Sequence, residues 1–147
     1  MRLLLFATAA VCTFLVGGCA STSAPAADAT LVHAFEEAVP GTTVISARSG
    51  DIDADGTQDL AVVYRTAEGT FRTRALLSHE GSATVTNEFK APVEAQAVQL
   101  RDIDDKQPVE VIVRGSKNGA VGYAVYRVEG DQLVDVFDSG MANCCGR

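Results

Sequence analysis

The sequence predicts an all-β fold in which two four-stranded antiparallel meander repeats pack together after one short N-terminal helix. Three observations lead to this prediction. From Thr42 onward, apolar and polar residues alternate with a period of two, which is typical of half-buried strands. Turn-forming pairs such as Glu68-Gly69 and Glu129-Gly130 interrupt the alternation at short intervals. An acidic loop recurs 51 residues later, from Asp51 to Asp102, which indicates an internal repeat.

The helical pattern precedes the strands. Its apolar side chains share one helical face, and they are Leu31, Val32, Phe35, Ala38 and Val39. Asp28 or Thr30 is suited to cap the first turn, and Pro40-Gly41 ends the run. We therefore expect one short helix before the first strand.

Eight strands are predicted after the helix, four in each repeat. They cover residues 43–48, 59–65, 71–78, 83–89, 95–101, 109–114, 121–128 and 132–138. The second strand of each group contains Leu60-Ala61-Val62-Val63 or Val111-Ile112-Val113, which is apolar on both faces and therefore expected at the centre of its sheet. The repeats span about residues 42–90 and 93–140, within a domain of residues 30–147.

The first 18 residues have the pattern of a secretory signal peptide. Arg2 precedes an apolar run that is shorter than the about 20 residues of a transmembrane helix. Val16-Gly17-Gly18-Cys19 resembles the cleavage box of bacterial lipoproteins, a resemblance that implies lipidation of Cys19. An ordinary cleaved signal followed by a chance cysteine is the alternative. The two residues directly after Cys19 are Ala20 and Ser21, and neither is an aspartate. This resembles lipoproteins that are sorted to the periplasmic side of the outer membrane.

Residues 19–29 are rich in Ser, Thr, Ala and Pro, so we expect a flexible tether between the lipid and the domain. The 147-residue chain carries a net charge of −7, which argues against nucleic acid as a partner. Cys144 and Cys145 are adjacent, and their Cα atoms are too close for an ordinary disulfide. They belong either to an exposed tail or to an intermolecular disulfide in an oxidising compartment.

The first acidic loop has the spacing of a calcium loop. Its carboxylates stand at positions 1, 3, 5 and 9, and they are Asp51, Asp53, Asp55 and Asp59. Gly56 at position 6 permits the turn that lets oxygen ligands converge on one hard cation. The alternative is an aspartate-rich turn whose side chains only cap local amides.

The run from Gly50 to Val62 resembles the FG-GAP/VCBS repeat, the calcium-binding blade of integrin-type β-propellers. The resemblance covers about residues 42–139 and implies that the four aspartates bind Ca²⁺ together with the backbone carbonyl of Thr57. Two blades fall short of a closed ring, which has about four to eight, so the sheets are expected to pack on each other. Position 12 is Val62 rather than the bidentate Glu of an EF-hand, so we expect weak affinity, about 10⁻⁴–10⁻³ M.

The second loop keeps only part of this ligand pattern. Asp102, Asp104 and Glu110 match the family ligands, whereas Lys106 stands where the third acid is expected. Lys106 is predicted to pair with Asp102 and Asp104 in place of an ion. Whether this loop binds metal is left open at this point.

Catalysis has little support, because His33 and His79 accompany no nucleophile at a recognisable spacing. We therefore expect a non-enzymatic, lipid-anchored, calcium-binding β-module of the cell envelope, with a binding or structural role. Its expected contacts are the membrane, through the lipid, and a protein partner of unknown identity. The alternative is an inhibitor or immunity lipoprotein that blocks a cell-wall hydrolase, a class that small lipidated β-proteins with such loops also resemble.

Overall fold

A computed structural model describes residues 26–137. In this part of the chain one helix precedes nine strands, and their bounds are α1 (Ala29–Ala38), β1 (Thr43–Gly50), β2 (Asp59–Arg65), β3 (Phe71–His79), β4 (Ser82–Val85), β5 (Phe89–Lys90), β6 (Glu94–Arg101), β7 (Glu110–Lys117), β8 (Ala120–Glu129) and β9 (Gln132–Asp135). The predicted signal peptide, the lipidation of Cys19 and the tail with Cys144 and Cys145 lie outside the described residues.

The strands form two open antiparallel meanders. The first sheet has the order β1-β2-β3-β4, with β5 also paired to β3, and the second has the order β6-β7-β8-β9. This arrangement confirms the predicted all-β fold of two meander sheets and one short N-terminal helix. Within residues 26–137, no helix has the length and apolarity that a membrane crossing requires.

The helix α1 begins and ends where its sequence signals predict. The Asp28 carboxylate caps it by accepting a hydrogen bond from the Thr30 N–H at 2.7 Å. At the other end the Val39 N–H donates to the Phe35 carbonyl at 2.9 Å. The Phe35 ring is fully buried, 5.2 Å from the Tyr64 ring between centroids, so α1 covers one face of the first sheet.

The predicted strand at residues 83–89 is wrong as a single element, because it divides into β4 and β5. Thr86 interrupts it: its hydroxyl accepts a hydrogen bond from the Ala75 N–H at 2.9 Å, replacing a main-chain acceptor. Asn87 then turns toward β9, where its side chain donates to the Leu133 carbonyl at 3.0 Å and accepts from the Leu133 N–H at 2.7 Å. These contacts remove the segment from the regular ladder and connect the two sheets.

Two cores flank the first sheet. The core between α1 and this sheet contains Phe35, Leu60, Val62, Tyr64 and Leu76. The core between the two sheets contains Ala61, Val63, Ala75, Leu77, Val98, Val111, Val113, Tyr126, Val128 and Leu133, together with Ile52 from the first loop. The strand β2 is therefore buried on both faces, as its continuous apolar sequence predicts.

The two sheets stack in the same sense, front to back. Ala61 and Ala75 are cross-strand partners on the first-sheet face that contacts the second sheet. The corresponding partners in the second sheet are Ile112 and Val125, but the residues that contact the first sheet there are the alternate ones, such as Val111. The outer face of the second sheet thus corresponds to the buried face of the first.

Close contacts set the approach of the sheets. The Ser46 hydroxyl accepts a hydrogen bond from the Val98 N–H at 3.1 Å, which joins β1 to β6. Gly50 lies against Leu100, and a Cβ atom at Gly50 would be 2.5 Å from the Leu100 Cδ1. A side chain at this position would therefore force the Leu100 side chain to move.

Candidate metal centre

The first acidic loop, residues 51–58, is folded by its own carboxylates. Asp51 Oδ2 accepts a hydrogen bond from the Gly56 N–H at 3.0 Å, and Asp53 Oδ1 accepts one from the Asp55 N–H at 3.1 Å. Asp55 Oδ1 accepts one from the Thr57 N–H at 2.7 Å. Ala54 and Gly56 have positive φ values of 67° and 89°, and these left-handed turns bring the carboxylates to one side of the loop.

Asp59 is the buried base of the site and is inaccessible to solvent. Its Oδ2 accepts a hydrogen bond from the Ile52 N–H at 2.8 Å, and its Oδ1 accepts one from the Ser78 N–H at 2.7 Å. Burial raises the pKa of the Asp59 carboxyl above its usual value, and these two hydrogen bonds oppose the rise. The negative charges of Asp53 and Asp55 also raise this pKa, so a cation nearby would stabilise the ionised carboxylate.

Three of the predicted ligands converge. Asp51, Asp53 and Asp59 each offer one oxygen, and these oxygens lie within 4.8 Å of one another. Since Ca²⁺–oxygen distances are about 2.3–2.6 Å, two ligands of one ion lie at most about 5 Å apart, so the set fits a single Ca²⁺. The Oδ1 atom of Asp51 is also buried and has no hydrogen-bond partner among the described residues. Such an oxygen is able to serve as a ligand to a cation.

Asp55 points instead toward His79, a residue that the sequence analysis treated as isolated. Its Oδ2 is 3.1 Å from the His79 Nδ1, which is also 4.0 Å from Asp53 Oδ2. The hydrogen bond to Asp55 raises the pKa of His79, and the bond from the Thr57 N–H, followed by that with His79, lowers the pKa of Asp55. Asp53, Asp55 and His79 thus form a second, overlapping group of ligand atoms within 4.8 Å. The carbonyl of Thr57 stays a predicted ligand.

The second loop repeats part of the backbone conformation of the first. Asp105 has a positive φ of 58° at the position equivalent to Ala54. Glu110 is buried like Asp59, and its Oε2 accepts a hydrogen bond from the Ile103 N–H at 2.9 Å. Oxygens of Asp102, Asp104 and Glu110 also lie within 4.8 Å of one another, so both loops bring three carboxylates together.

A guanidinium group neutralises the second cluster. Arg127 Nη2 donates to Asp104 Oδ2 at 2.8 Å and also to Glu110 Oε1. The predicted pairing of Lys106 is only partly present: its ammonium is 3.9 Å from Asp104 Oδ2, and its backbone N–H rather than its ammonium contacts Asp102. The strongest cation of this loop therefore comes from β8 and was not anticipated from the loop sequence.

The strand registers locate the difference between the loops. In the first sheet Leu60 pairs with Leu76, so the next position places Leu77 opposite Asp59. In the second sheet Val111 pairs with Tyr126, so the next position places Arg127 opposite Glu110. The first carboxylate cluster thus has an apolar neighbour at the position that supplies a positive charge to the second.

Both loops lie at the same end of the molecule. They border a shared cleft of about 300 Å³, lined by Asp51 and Asp102 and by Arg48, Leu100 and Arg101, among others. The remaining histidine, His33, lies on the exposed surface of α1, 3.8 Å from Glu37 and apart from these clusters.

Comparisons with protein-family models, with curated proteins and with solved structures find no match to this chain.

Proposed function

We propose that the protein is a non-catalytic, calcium-stabilised binding or structural module that a lipid on Cys19 holds at the periplasmic face of the outer membrane. One observation carries the calcium site: the carboxylates of Asp51, Asp53 and Asp59 converge within 4.8 Å, with a buried, unpartnered oxygen on Asp51 among the described residues. The second loop supports the proposal by contrast, because the same arrangement there contains the guanidinium of Arg127.

The proposed role of the ion is structural. The loop connects β1 to β2, and its buried member Asp59 also accepts a hydrogen bond from Ser78 of β3. A bound Ca²⁺ would relieve the repulsion among the carboxylates and fix this junction of three strands. The carboxylates also accept loop amides, as an aspartate-rich turn would, so the proposed ion site depends on the convergence of the carboxylates and on the unpartnered Asp51 Oδ1.

The test is thermal unfolding in chelator and in millimolar calcium. At ten times Kd, calcium is expected to stabilise the wild-type protein by about 1.4 kcal/mol. Asp53→Asn should abolish most of this increment, because Asp53 belongs to both groups of ligand atoms in the first loop. The equivalent variant, Asp104→Asn, is the matched control and should keep the calcium response.

Two results would contradict the calcium site. One is a wild-type protein whose unfolding temperature is the same in calcium and in chelator. The other is an equal calcium response in wild type and Asp53→Asn, since the ion would then bind elsewhere. Calorimetric titration of the same variants with Ca²⁺ shows whether a variant no longer binds the ion or binds it without a gain in stability.

The lipid anchor rests on the sequence Val16-Gly17-Gly18-Cys19 and has its own test. Cys19→Ser should prevent incorporation of a labelled fatty acid and move the protein into the soluble fraction or leave an unprocessed precursor. Persistence of the label on Cys19→Ser would rule out lipidation at this residue. As a control, the Ser21→Ala variant, which changes a nearby residue to one of similar size, should leave the labelling unchanged.

A further inference from the structure

The outer face of the second sheet is a partly apolar surface on which no other sheet or helix of residues 26–137 packs. It is defined here by Ile112, Arg114, Val121, Tyr123, Val125 and Val136, which alternate with the residues that contact the first sheet. The side chains of Val121 and Tyr123 are each 54% exposed. No described helix or strand of the chain packs on this face.

The stacking of the sheets limits what can cover it. The sheets stack front to back, so the stack has two unlike ends, and α1 closes the end formed by the first sheet. Head-to-tail addition of further copies is therefore blocked by the helix. Among face-to-face arrangements, a second copy can then add by pairing the two outer faces, which gives a closed assembly with two-fold symmetry.

The outer face also differs from the first-sheet face to which it corresponds. Arg101 and Arg114 replace Gly50 and Val63, which are small or apolar at the contact between the sheets. Neither guanidinium group has a hydrogen bond or an ion pair with another described residue. A third sheet stacked in the same way would bury the Arg101 charge, which favours a partner that supplies carboxylates opposite it.

Charge on the same face provides them. Arg101 lies at the loop end of β6, and Glu94 lies at the opposite end of this strand, beside Ser116 on the same face. When two such faces meet with their strands antiparallel, Arg101 of each copy meets Glu94 of the other. The apolar rows with Ile112 and Tyr123 then lie between these two charge pairs.

We propose that the outer face of the second sheet is a self-association surface, on which a second copy of this chain packs with Arg101 facing Glu94 across the two-fold axis. The four strands have 8, 8, 10 and 4 residues and together cover a footprint of about 500 Å² per copy. The resulting total of about 1,000 Å² lies at the low end for specific interfaces, so the dimer is weak and reversible.

The test measures the mass of the full-length chain by light scattering, in mild detergent and reductant, from micromolar to millimolar concentration. Wild type should shift from monomer to dimer across this range. Arg101→Glu and Glu94→Arg should each weaken the dimer at least tenfold, and the double variant should recover wild-type association, because the two charges are exchanged. Circular dichroism and thermal unfolding establish that each variant is folded.

An apolar substitution provides an independent test. Tyr123→Arg should weaken dimerisation at least tenfold, whereas Val93→Arg, which changes a 46% exposed side chain on the linker before β6, should have no effect. A wild-type protein that stays monomeric at millimolar concentration would overturn the proposal, as would a dimer that neither charge reversal nor Tyr123→Arg weakens. The second outcome would assign association to the chain outside the described residues.

Discussion

At the scale of single residues, Arg127 and Leu77 decide how two similar loops are neutralised. The two residues occupy equivalent strand positions, each opposite a buried carboxylate. Arg127 is opposite Glu110, and Leu77 is opposite Asp59. A buried carboxylate is stable only with a matching charge and hydrogen bonds. In the second loop Arg127 supplies one positive charge to Asp104 and Glu110, so we expect this cluster to depend less on an ion than the first.

Replacing Arg127 with leucine should convert the second loop into one that responds to calcium. In chelator, Arg127→Leu leaves the fully buried Glu110 without its cation, and we expect a loss of about 3–5 kcal/mol of stability. Added calcium should restore part of this loss. The measurement is urea unfolding in the Asp53→Asn background, in which the first loop is expected not to respond to calcium. A midpoint that calcium does not change would mean that the second loop cannot hold the ion.

His79 should make stability depend on pH in the absence of calcium. Its pKa is raised by the hydrogen bond to Asp55, so the folded state binds the proton more tightly than the unfolded chain. This contribution is complete below about pH 6.5 and is lost as the pH rises through the folded pKa. We expect His79→Asn to flatten the fall in unfolding temperature above about pH 6.5 in chelator. His33→Asn, on the exposed surface of α1, should leave the profile unchanged.

The ligand set was only partly accessible from the sequence. The spacing of aspartates predicted the convergence of Asp51, Asp53 and Asp59, because position within one short loop largely determines proximity. His79 and Arg127 come from β3 and β8, and their contribution depends on strand register. Counting the β2–β3 register from the turn that joins these strands places the end of β3 beside the first acidic loop. This register is the sequence signal that could have predicted the position of His79.

At the scale of elements, the helix α1 acts as the cover of the first sheet. The sequence pattern predicted its length and its cap because both depend on nearest neighbours. The division of the predicted strand at residues 83–89 was not predictable, since Thr86 and Asn87 are compatible with a strand until their side chains find Ala75 and Leu133. Local patterns thus locate elements better than they locate interruptions.

Removing the Phe35 ring should test this covering role. Phe35→Ala deletes a fully buried side chain that contacts Tyr64, and the expected loss is about 3–5 kcal/mol in urea unfolding. Asp28→Ala removes only the helix cap and should cost clearly less. An equal loss in both variants would indicate that α1 is held by its first turn rather than by its buried face.

At the scale of the whole molecule, the architecture depends on which face of each sheet contacts the other sheet. The period of two in the sequence separates the faces of each strand, but it does not say which face meets which layer. The repeat predicted two similar sheets, and only the contacts of Ala61 and Val111 reveal that dissimilar faces meet. Those contacts are distant in the sequence and therefore lie beyond local patterns.

The linker between the sheets should be sensitive to a single methyl group. A Cβ atom at Gly115 would lie 2.3 Å from the Pro92 Cβ and 2.9 Å from the Glu94 carbonyl oxygen, whereas one at Gly122, its cross-strand partner, would contact nothing within 4 Å. We expect Gly115→Ala to lower stability by about 1–3 kcal/mol. Gly122→Ala should be neutral or slightly stabilising. Thermal unfolding of both variants measures the difference, and similar values would exclude a tight linker contact.

The entry of the chain into the domain has a consequence for the supply of calcium. The Asp28 N–H donates to the Ser49 hydroxyl at 2.7 Å, and Ser49 lines the cleft between the two acidic loops, so Asp28 lies at this end of the molecule. In the proposed anchored form, Cys19 is nine residues away, a distance that cannot exceed about 30 Å. At a leaflet rich in anionic lipids, a surface potential of about −30 mV would enrich a divalent ion about tenfold at the lipid surface and would decay over about 8 Å. The length of the tether would then set how much Ca²⁺ the first loop samples, and a longer tether would lower its occupancy without changing any ligand.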